Sequence, residues 1–191
     1  AEDLRAIRAE VEKKLGADHA QIFDAHLLIL QDEALSKPTL DLILTERVNA
    51  EYAFWRTVQK LRRQFDAIED EFFRSRKADI QDVEGRVLAK LCHREDDLLD
   101  QMTSEAIVIA HDLAPADTAR LHRDRVLGFV TEAGGTTSHA AIIARGLGIP
   151  AVVGVREALA AAEPGDMVIV DGRRGVIYID PDESTLTKYR Q

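Results

Sequence analysis

One histidine of this chain stands where a glycine-rich loop gives way to a helical pattern. Gly134 and Gly135 open the loop, Ser138 immediately precedes His139, and an apolar stretch with helical spacing follows. The backbone N–H groups in the first turn of a helix lack intrahelical acceptors and bind anions such as phosphate. An imidazole at this place can therefore take up a phosphoryl group and keep it beside those donors.

The chemistry of an imidazole ring fits that role. An ordinary histidine, with a pKa of about 6.5, is mostly neutral at pH 7 and so has a nitrogen available to attack phosphorus. The positive end of the helix dipole opposes the imidazolium form and favours a bound phosphoryl dianion, but it contributes only about 0.3–2 kcal/mol. Further donors are needed, and the candidates from the sequence are Thr137, Ser138 and, six helical steps away, Arg145. The simpler alternative is that Ser138 caps the helix and His139 is a bystander.

Composition limits the class of protein. The chain has 191 residues, 46% of them hydrophobic, which suits one large or two modest globular domains. A formal net charge of −9 argues against nucleic acid as a partner. The single cysteine, Cys92, excludes an internal disulfide, and we expect it to pack among apolar helix positions. No apolar run approaches the ~18 residues that cross a bilayer, and no signal peptide is visible, so a soluble cytoplasmic protein is expected.

The first part of the chain, residues 1–104, has the apolar spacing of a helical bundle. We expect Gly16 to end the first helix, residues 36–39 to break the next, and Asn49 to cap a long third segment. Trp55 and the phenylalanines are expected in the core. The long third segment has an apolar stripe whose positions alternate in steps of four and three: Phe54, Val58, Leu61, Phe65, Ile68 and Phe72. A further apolar set at helical spacing, Ile80, Val83, Val87 and Leu91, completes the bundle.

After residue 104 the pattern becomes that of an α/β domain, which we assign to residues 105–191. Short apolar runs predict strands, which we place at residues 106–110, 126–131, 151–153, 167–170 and 176–179. The turn at residues 171–175 predicts a hairpin between the last two strands. His139 then lies in a strand, glycine loop and helix unit. The fold class is therefore a helical bundle followed by an α/β domain.

Residues 134–154, with the sequence GGTTSHAAIIARGLGIPAVVG, resemble the phosphohistidine segment of enzymes that transfer phosphate to or from phosphoenolpyruvate. In that superfamily the histidine of the TSH motif is the phosphorylated residue, which here is His139. Three relatives share the segment: enzyme I of the bacterial phosphotransferase system, phosphoenolpyruvate synthase and pyruvate phosphate dikinase. The segment by itself does not choose among them.

The helical part favours the first of these relatives. Residues 18–35 (DHAQIFDAHLLILQDEAL) and 77–88 (KADIQDVEGRVL) resemble two segments of enzyme I, whereas nothing in the chain resembles a P-loop or an ATP-grasp domain. The resemblance, to the amino-terminal half of the enzyme I family, covers nearly the whole chain. It implies a helical bundle that docks the small carrier protein HPr and a phosphohistidine swivelling β/β/α domain.

The resemblance also implies a mechanism with two transfers in the sugar phosphotransferase system. Phosphoenolpyruvate, bound with Mg²⁺ in a separate carboxy-terminal barrel domain, phosphorylates the histidine, and the phosphate then passes to HPr. No cofactor or metal is implied for this chain itself, and His19, His93, His111 and His122 lack the spacing of a zinc site. We expect the chain to be a monomer that cannot phosphorylate itself from phosphoenolpyruvate alone.

Individual residues carry over from the family by motif. The residues implied to contact the carrier are Asp24, His26, Asp32, Glu33 and Arg86. Gln81 stands where a basic residue is expected, so one contact of that surface departs from the pattern. Thr118 matches a threonine that hydrogen-bonds the active imidazole, with local helix capping as the alternative. Three other readings remain open: a nitrogen-branch homologue with its own carrier, a synthase or dikinase relative, and a swivelling domain without catalytic function.

Overall fold

The computed structural model of the chain describes residues 1–66, 71–93, 102–121 and 124–190. It divides the chain into two compact units, Ala1–Asp97 and Leu98–Gln191. The division falls outside the described residues, and the domain boundary that we place after residue 104 stays a prediction. Within the described ranges, no helix is both long and apolar enough to cross a membrane.

The first unit is all helical. Its helices are α1 (Glu2–Leu15), α2 (Ala17–Gln31), α3 (Glu33–Glu46), α4 (Ala50–Asp66) and α5 (Glu71–Leu91). Leu35, Phe54, Val58 and Ile80, from three different helices, form a buried cluster because each lies on the apolar stripe of its helix. The partly buried side chains packed against this cluster include Leu61, Phe65, Val87 and Leu91. The predicted bundle and its stripes are confirmed, except that Ile68 and the side chain of Phe72 lie outside the described residues.

Two predicted helix ends are confirmed. Gly16 terminates α1 with a φ of +92°, a backbone conformation that favours glycine. The side chain of Asn49 accepts a hydrogen bond from the backbone N–H of Tyr52 at 3.0 Å, as an N-cap of α4 does.

The predicted break at residues 36–39 is wrong, since α3 runs through it with Pro38 inside the helix. The break lies earlier, at Asp32, whose carboxylate accepts a hydrogen bond from the N–H of Ala34 at 2.8 Å. Pro38 removes one backbone donor, but it sits only in the second turn. Burial of Leu35 in the bundle core holds that stretch in helical register.

Two predicted core residues are exposed. Trp55 is 44% exposed, because it lies one position, or 100° of helix rotation, beyond the buried Phe54. Cys92 is exposed as well, since it follows the last residue of α5 rather than continuing its apolar stripe. The expectation that these two side chains pack in the core is therefore wrong.

The second unit is α/β. Its elements are β1 (Ala106–Ala110), α6 (Pro115–Arg120), β2 (Val126–Thr131), α7 (His139–Leu147), β3 (Ala151–Val153), α8 (Ala158–Ala161), β4 (Val168–Asp171), β5 (Val176–Ile179) and α9 (Glu183–Arg190). Strands β1, β2 and β3 form a parallel sheet in that order, and β4 pairs with β5 as an antiparallel hairpin. All five predicted strands and the hairpin are confirmed, with β4 displaced by one residue.

The core of this unit fixes α7 against the parallel sheet. Phe129 of β2 is fully buried, and it belongs to one cluster with Ala140 and Ala144 of α7 and with Ile149. Small alanines on that face let the helix approach the strand closely. The loop that joins β2 to α7 therefore leaves the carboxyl end of a parallel sheet, which is where open α/β sheets commonly place ligands.

Candidate functional site

The loop before α7 is anchored by backbone hydrogen bonds at its start. The N–H of Glu132 donates to the carbonyl of Ala110 at 3.1 Å, and that of Ala133 donates to the carbonyl of His111 at 2.8 Å. The hydroxyl of Thr131 donates to the carbonyl of Ala133 at 2.8 Å. These bonds continue the pairing of β1 and β2 beyond the carboxyl ends of the two strands. The first residues of the loop are therefore held in place by backbone hydrogen bonds.

Ser138 and His139 occupy the first positions of α7. Ser138 is the N-cap, and its Oγ accepts a hydrogen bond from the N–H of Ala141 at 3.3 Å. His139 is the first residue of the helix and is partly exposed. The predicted helix start at His139 and the capping role of Ser138 are therefore both present. That the backbone donors of the first helical turn meet a phosphoryl group on the imidazole stays a prediction.

Glycines set the path of the loop. Gly134 has a φ of +91°, and a Cβ added to it would lie 3.3 Å from Oγ of Ser138. Gly154, just after β3, has a φ of +77°, and a Cβ there would lie 3.2 Å from the carbonyl oxygen of Gly134. Sequence reasoning missed Gly154 as a supporting residue, although it closes the motif segment. Gly135 has neither a positive φ nor a close neighbour for a Cβ.

Arg145 ties the helix back to the loop. One of its guanidinium nitrogens donates to the carbonyl oxygen of Thr136 at 3.1 Å. Arg145 and Thr136 both line a cleft of this unit whose lining does not include His139. A contact of Arg145 with a phosphoryl group on His139 therefore stays a prediction, as does one from the exposed Thr137.

Thr118 is fully buried on α6. Its hydroxyl donates to the carbonyl oxygen of Ala114 at 3.0 Å, which is the local capping alternative considered from the sequence. Since the hydroxyl proton is directed at that carbonyl, a bond between Thr118 and an imidazole would use the oxygen as acceptor from a ring N–H. That bond stays a prediction.

A pair of titratable residues lies at the start of the loop. His111 Nδ1 lies 2.9 Å from Glu132 Oε2, and the N–H of Leu159 donates to the other carboxylate oxygen at 3.1 Å. The hydrogen bond to His111 lowers the pKa of Glu132, and the bond from Leu159 lowers it further. The carboxylate thereby joins the ends of β1 and β2 to the beginning of α8.

The predicted carrier-contacting acids of the first unit each have a local partner. Asp24 of α2 accepts hydrogen bonds from the guanidinium of Arg8 at 2.5 and 3.2 Å, and Asp32 caps α3. Glu33 forms an ion pair with Lys37 one turn later in α3. Asp32 and Glu33 are exposed and Asp24 is half-buried, so all three carboxylates are accessible to a partner.

The remaining two predicted contacts differ in accessibility. His26 is only 3% exposed, and its Nε2 lies 3.6 Å from an oxygen of Asp79 and 3.8 Å from one of Asp82. Arg86 of α5 is partly exposed, and Gln81 on the same helix is exposed. A role of His26 or Arg86 in binding a carrier stays a prediction.

Two family models match the chain, and both describe enzymes that use phosphoenolpyruvate. Residues 1–76 match the N-terminal region of PEP-utilising enzymes. Residues 102–175 match the mobile domain of PEP-utilising enzymes. The two matches fall on the helical part and on the α/β part of the chain respectively.

Curated relatives carry one common name. The chain is 47% identical over 190 residues to a phosphoenolpyruvate-protein phosphotransferase of Geobacillus stearothermophilus, covering all of this chain and 33% of that protein. It is 43% identical over 190 residues to the protein of the same name in Bacillus subtilis, with the same coverage. The chain thus spans about a third of the length of the curated relatives it matches.

Solved structures give the same assignment for the fold. The solution structure titled Enzyme I (nEIt) is 37% identical, with a TM-score of 0.74, over 99% of this chain and 76% of that one. The N-terminal domain of a protein titled Enzyme 1 - Nitrogen is 28% identical, with a TM-score of 0.61, over 99% of this chain and 78% of that one. Both likenesses extend over the helical and the α/β parts.

Proposed function

This chain belongs to the enzyme I family, and we propose that it is the phosphohistidine-bearing part of a phosphoenolpyruvate-protein phosphotransferase, with His139 as the phosphorylated residue. The observation that carries the proposal is the place of His139 as first residue of α7, behind the N-cap Ser138 and the loop that starts at Gly134. A phosphoryl group on the ring then meets the positive end of the helix.

The first transfer forms a bond between an imidazole nitrogen of His139 and the phosphorus of phosphoenolpyruvate. The bond between phosphorus and the enol oxygen breaks, and the enolate leaves and is protonated to pyruvate. We place phosphoenolpyruvate and Mg²⁺ in a separate domain of the complete enzyme. The contribution of this chain is the neutral nitrogen nucleophile and the backbone donors that receive the transferred group.

The second transfer passes the phosphoryl group to a carrier. A nitrogen of the carrier's own histidine attacks phosphorus, the bond to His139 breaks, and the imidazole of His139 returns to its neutral form. Breaking the N–P bond of phosphohistidine by phosphoryl transfer releases free energy. The N-terminus of α7 must therefore stabilise the phosphoryl group only weakly, so that the group can still pass to the carrier. A helix-end contribution of about 0.3–2 kcal/mol is small enough for that.

We propose the carrier protein HPr as the acceptor, docked on the helical unit. The accessible carboxylates of Asp24 and Glu33 lie on α2 and α3, that of Asp32 lies between these helices, and Arg86 lies on α5. An acidic helix face steers a basic partner and raises the rate of encounter while leaving the complex short-lived, as a carrier requires. We propose the cytoplasm as the location, because that is where the resemblance to a sugar phosphotransferase system puts such a protein.

A nitrogen-branch enzyme is the second candidate, because one of the two similar structures is titled Enzyme 1 - Nitrogen. The sugar branch is preferred, since identity falls from 37% with the other enzyme I structure to 28% with that one. The names of the curated relatives favour a phosphoenolpyruvate-protein phosphotransferase over a synthase or dikinase.

The test is transfer of radiolabelled phosphate from phosphorylated HPr to the purified chain. We expect His139 to be labelled reversibly, with a label that is lost in acid and stable in base. His139→Ala should take no label, while His111→Gln, which changes another histidine of the same unit, should keep it. Circular dichroism of both variants checks that they are folded. Label on a folded His139→Ala variant would overturn the assignment.

A second set of labelling experiments distinguishes the sugar branch from the nitrogen branch and tests whether phosphorylation by phosphoenolpyruvate needs another domain. Under the preferred assignment, HPr is a faster donor than a nitrogen-branch carrier, and the reverse order would move the chain to the nitrogen branch. With phosphoenolpyruvate and Mg²⁺ alone we expect no label, because the substrate site lies in another domain. Labelling under those conditions would contradict that division of labour.

A further inference from the structure

The second unit contains an open cleft that the phosphoryl-transfer proposal does not use. Its volume is about 1320 Å³, and it lies between α7, β3, the turn at residues 171–175 and α9. The lining includes Arg145 of α7 and Tyr189 of α9. It also includes small and apolar residues of α7 and β3, among them Ala144 and Val152.

The cleft is cationic in a chain that is acidic overall. Among the described residues, its lining includes Arg145, Arg173, Arg174 and Lys188 but only one acid, Asp171. The formal balance of +3 contrasts with the net charge of −9 for the whole chain. Such a local excess of guanidinium groups in a concave site suits phosphate, which arginine binds in a bidentate manner.

The carboxylate of Asp171 in the cleft is held by the turn itself. Asp171 Oδ1 accepts hydrogen bonds from the backbone N–H groups of Arg173 and Arg174 at 3.1 and 3.0 Å, and Oδ2 accepts one from the hydroxyl of Tyr189 at 2.8 Å. The bond from the N–H of Arg174 is the main cause that lowers the pKa of Asp171. The bond to Asp171 in turn raises the pKa of Tyr189 to about 12. The carboxylate thus orders the turn that carries the two arginines.

The arginine side chains remain accessible. Arg173 and Arg174 are exposed, and Nε of Arg174 lies 3.8 Å from Asp171, at the edge of an ion pair. Among residues 1–66, 71–93, 102–121 and 124–190, no carboxylate oxygen lies within 4.0 Å of the Arg173 guanidinium. This cation is therefore available to a ligand without breaking an ion pair of the described chain.

An aromatic pair stands in the same cleft. The rings of Tyr178 on β5 and Tyr189 on α9 have centroids 5.6 Å apart at an angle of 57°, and both residues line the cleft. Planar rings bind against such side chains by stacking and by burial of apolar area. The cleft therefore offers an aromatic and apolar surface next to its cationic rim.

We propose that this cleft binds a nucleoside di- or triphosphate, with the phosphates on Arg173, Arg174 and Lys188 and the base against the tyrosine pair and the apolar lining residues. A polymeric anion fits less well, because the excess positive charge is confined to a concavity while the rest of the chain repels polyanions. His139 is not part of the lining, so the site does not include the proposed nucleophile, although Arg145 lines the cleft and is also a predicted phosphate contact of the transfer site.

The test is a titration of the ¹⁵N-labelled chain with ADP at physiological ionic strength, followed by amide NMR. We expect saturable shifts of the signals from the turn at residues 171–175 and from α9, and weaker binding of pyrophosphate and of adenosine than of ADP. Arg173→Gln should weaken ADP binding at least about tenfold. Arg156→Gln is the matched control, because it removes an exposed arginine of the same unit outside the cleft.

Several outcomes would overturn the proposal. These are no saturable shift at millimolar ADP, equal weakening by Arg173→Gln and Arg156→Gln, or binding of pyrophosphate as tight as that of ADP. Shifts confined to the loop and first turn of α7 would also overturn it, since the phosphates would then bind at the helix end. His139→Ala should bind ADP normally, so this proposal and the phosphoryl-transfer proposal can fail separately.

Discussion

Gly134 and Ser138 face each other across the loop before α7, so that a Cβ on Gly134 would lie 3.3 Å from the Oγ that caps the helix. The φ of +91° at Gly134 is a second reason why an L side chain is disfavoured there. The shape of the loop and the capping of the helix that carries His139 are therefore set together.

Replacing Gly134 tests this relationship. Gly134→Ala should destabilise the protein by about 1–2 kcal/mol, because alanine is strained at a left-handed φ and its Cβ presses on Ser138. Gly135→Ala is the matched control and should change the free energy of unfolding by less than about 0.5 kcal/mol, since a Cβ there meets nothing within 4 Å. Denaturant unfolding measures both. Equal losses in the two variants would contradict the proposed contact.

Two substitutions of Ser138 distinguish its role as helix cap from a role in phosphoryl transfer. Ser138→Ala should cost about 1 kcal/mol of stability, because the N–H of Ala141 loses its acceptor. Ser138→Asp should keep the cap and the stability but slow phosphoryl transfer to His139, since its carboxylate repels an incoming phosphate. Thermal unfolding and the rate of labelling are the two measurements. An aspartate variant that is labelled at the normal rate would show that the phosphate does not come close to position 138.

The acids of the helical unit differ in what they do for its own stability. Glu33 is exposed and pairs with Lys37 one turn along α3, so Glu33→Gln should change stability by less than about 0.5 kcal/mol. If the acidic face steers HPr, the same change should lower the association rate a few-fold at low salt and less at high salt. Stopped-flow or surface plasmon resonance can follow this.

Glu10→Gln is the matched control, because Glu10 is an exposed acid that also pairs with a lysine one turn away, Lys14 at 2.6 Å. It should leave the association rate unchanged, and an equal effect would point to net charge alone. Asp32 is a poorer probe: it caps α3, so Asp32→Ala should also cost about 1 kcal/mol of stability.

The lowered pKa of Glu132 implies that the stability of the folded protein depends on pH. Its pKa is lowered in the folded protein from an ordinary value of 4.5, chiefly by the hydrogen bond with His111. The ionised form therefore stabilises the fold at and above pH 4.5, and this contribution is lost as the pH falls through the lowered pKa. Glu132→Gln should lower the melting temperature at pH 6 more than at pH 3. Glu105→Gln, an exposed acid of the same unit, should show no such difference.

The pattern of the sequence was sufficient for much of the fold because it reports local preferences. Gly16, Asn49 and Ser138 end or begin helices through their own backbone conformation or side chain, and all three were predicted. The five strands follow from short apolar runs between turn residues. The helix break predicted at Pro38 was wrong, and the break lies at Asp32. The helix continues through Pro38 because burial of Leu35 outweighs one lost backbone hydrogen bond.

The sequence by itself determined the likeness of residues 134–154 to a phosphohistidine segment and the place of His139 at the start of a helix, since both depend on neighbouring residues. Only the tertiary structure decided which distant groups meet. Gly154 closes on the carbonyl of Gly134, His111 meets Glu132, and the turn at residues 171–175 brings its arginines to the cleft beside Arg145. Contacts between residues far apart in the chain depend on how helices and strands pack, and no local spacing encodes that packing.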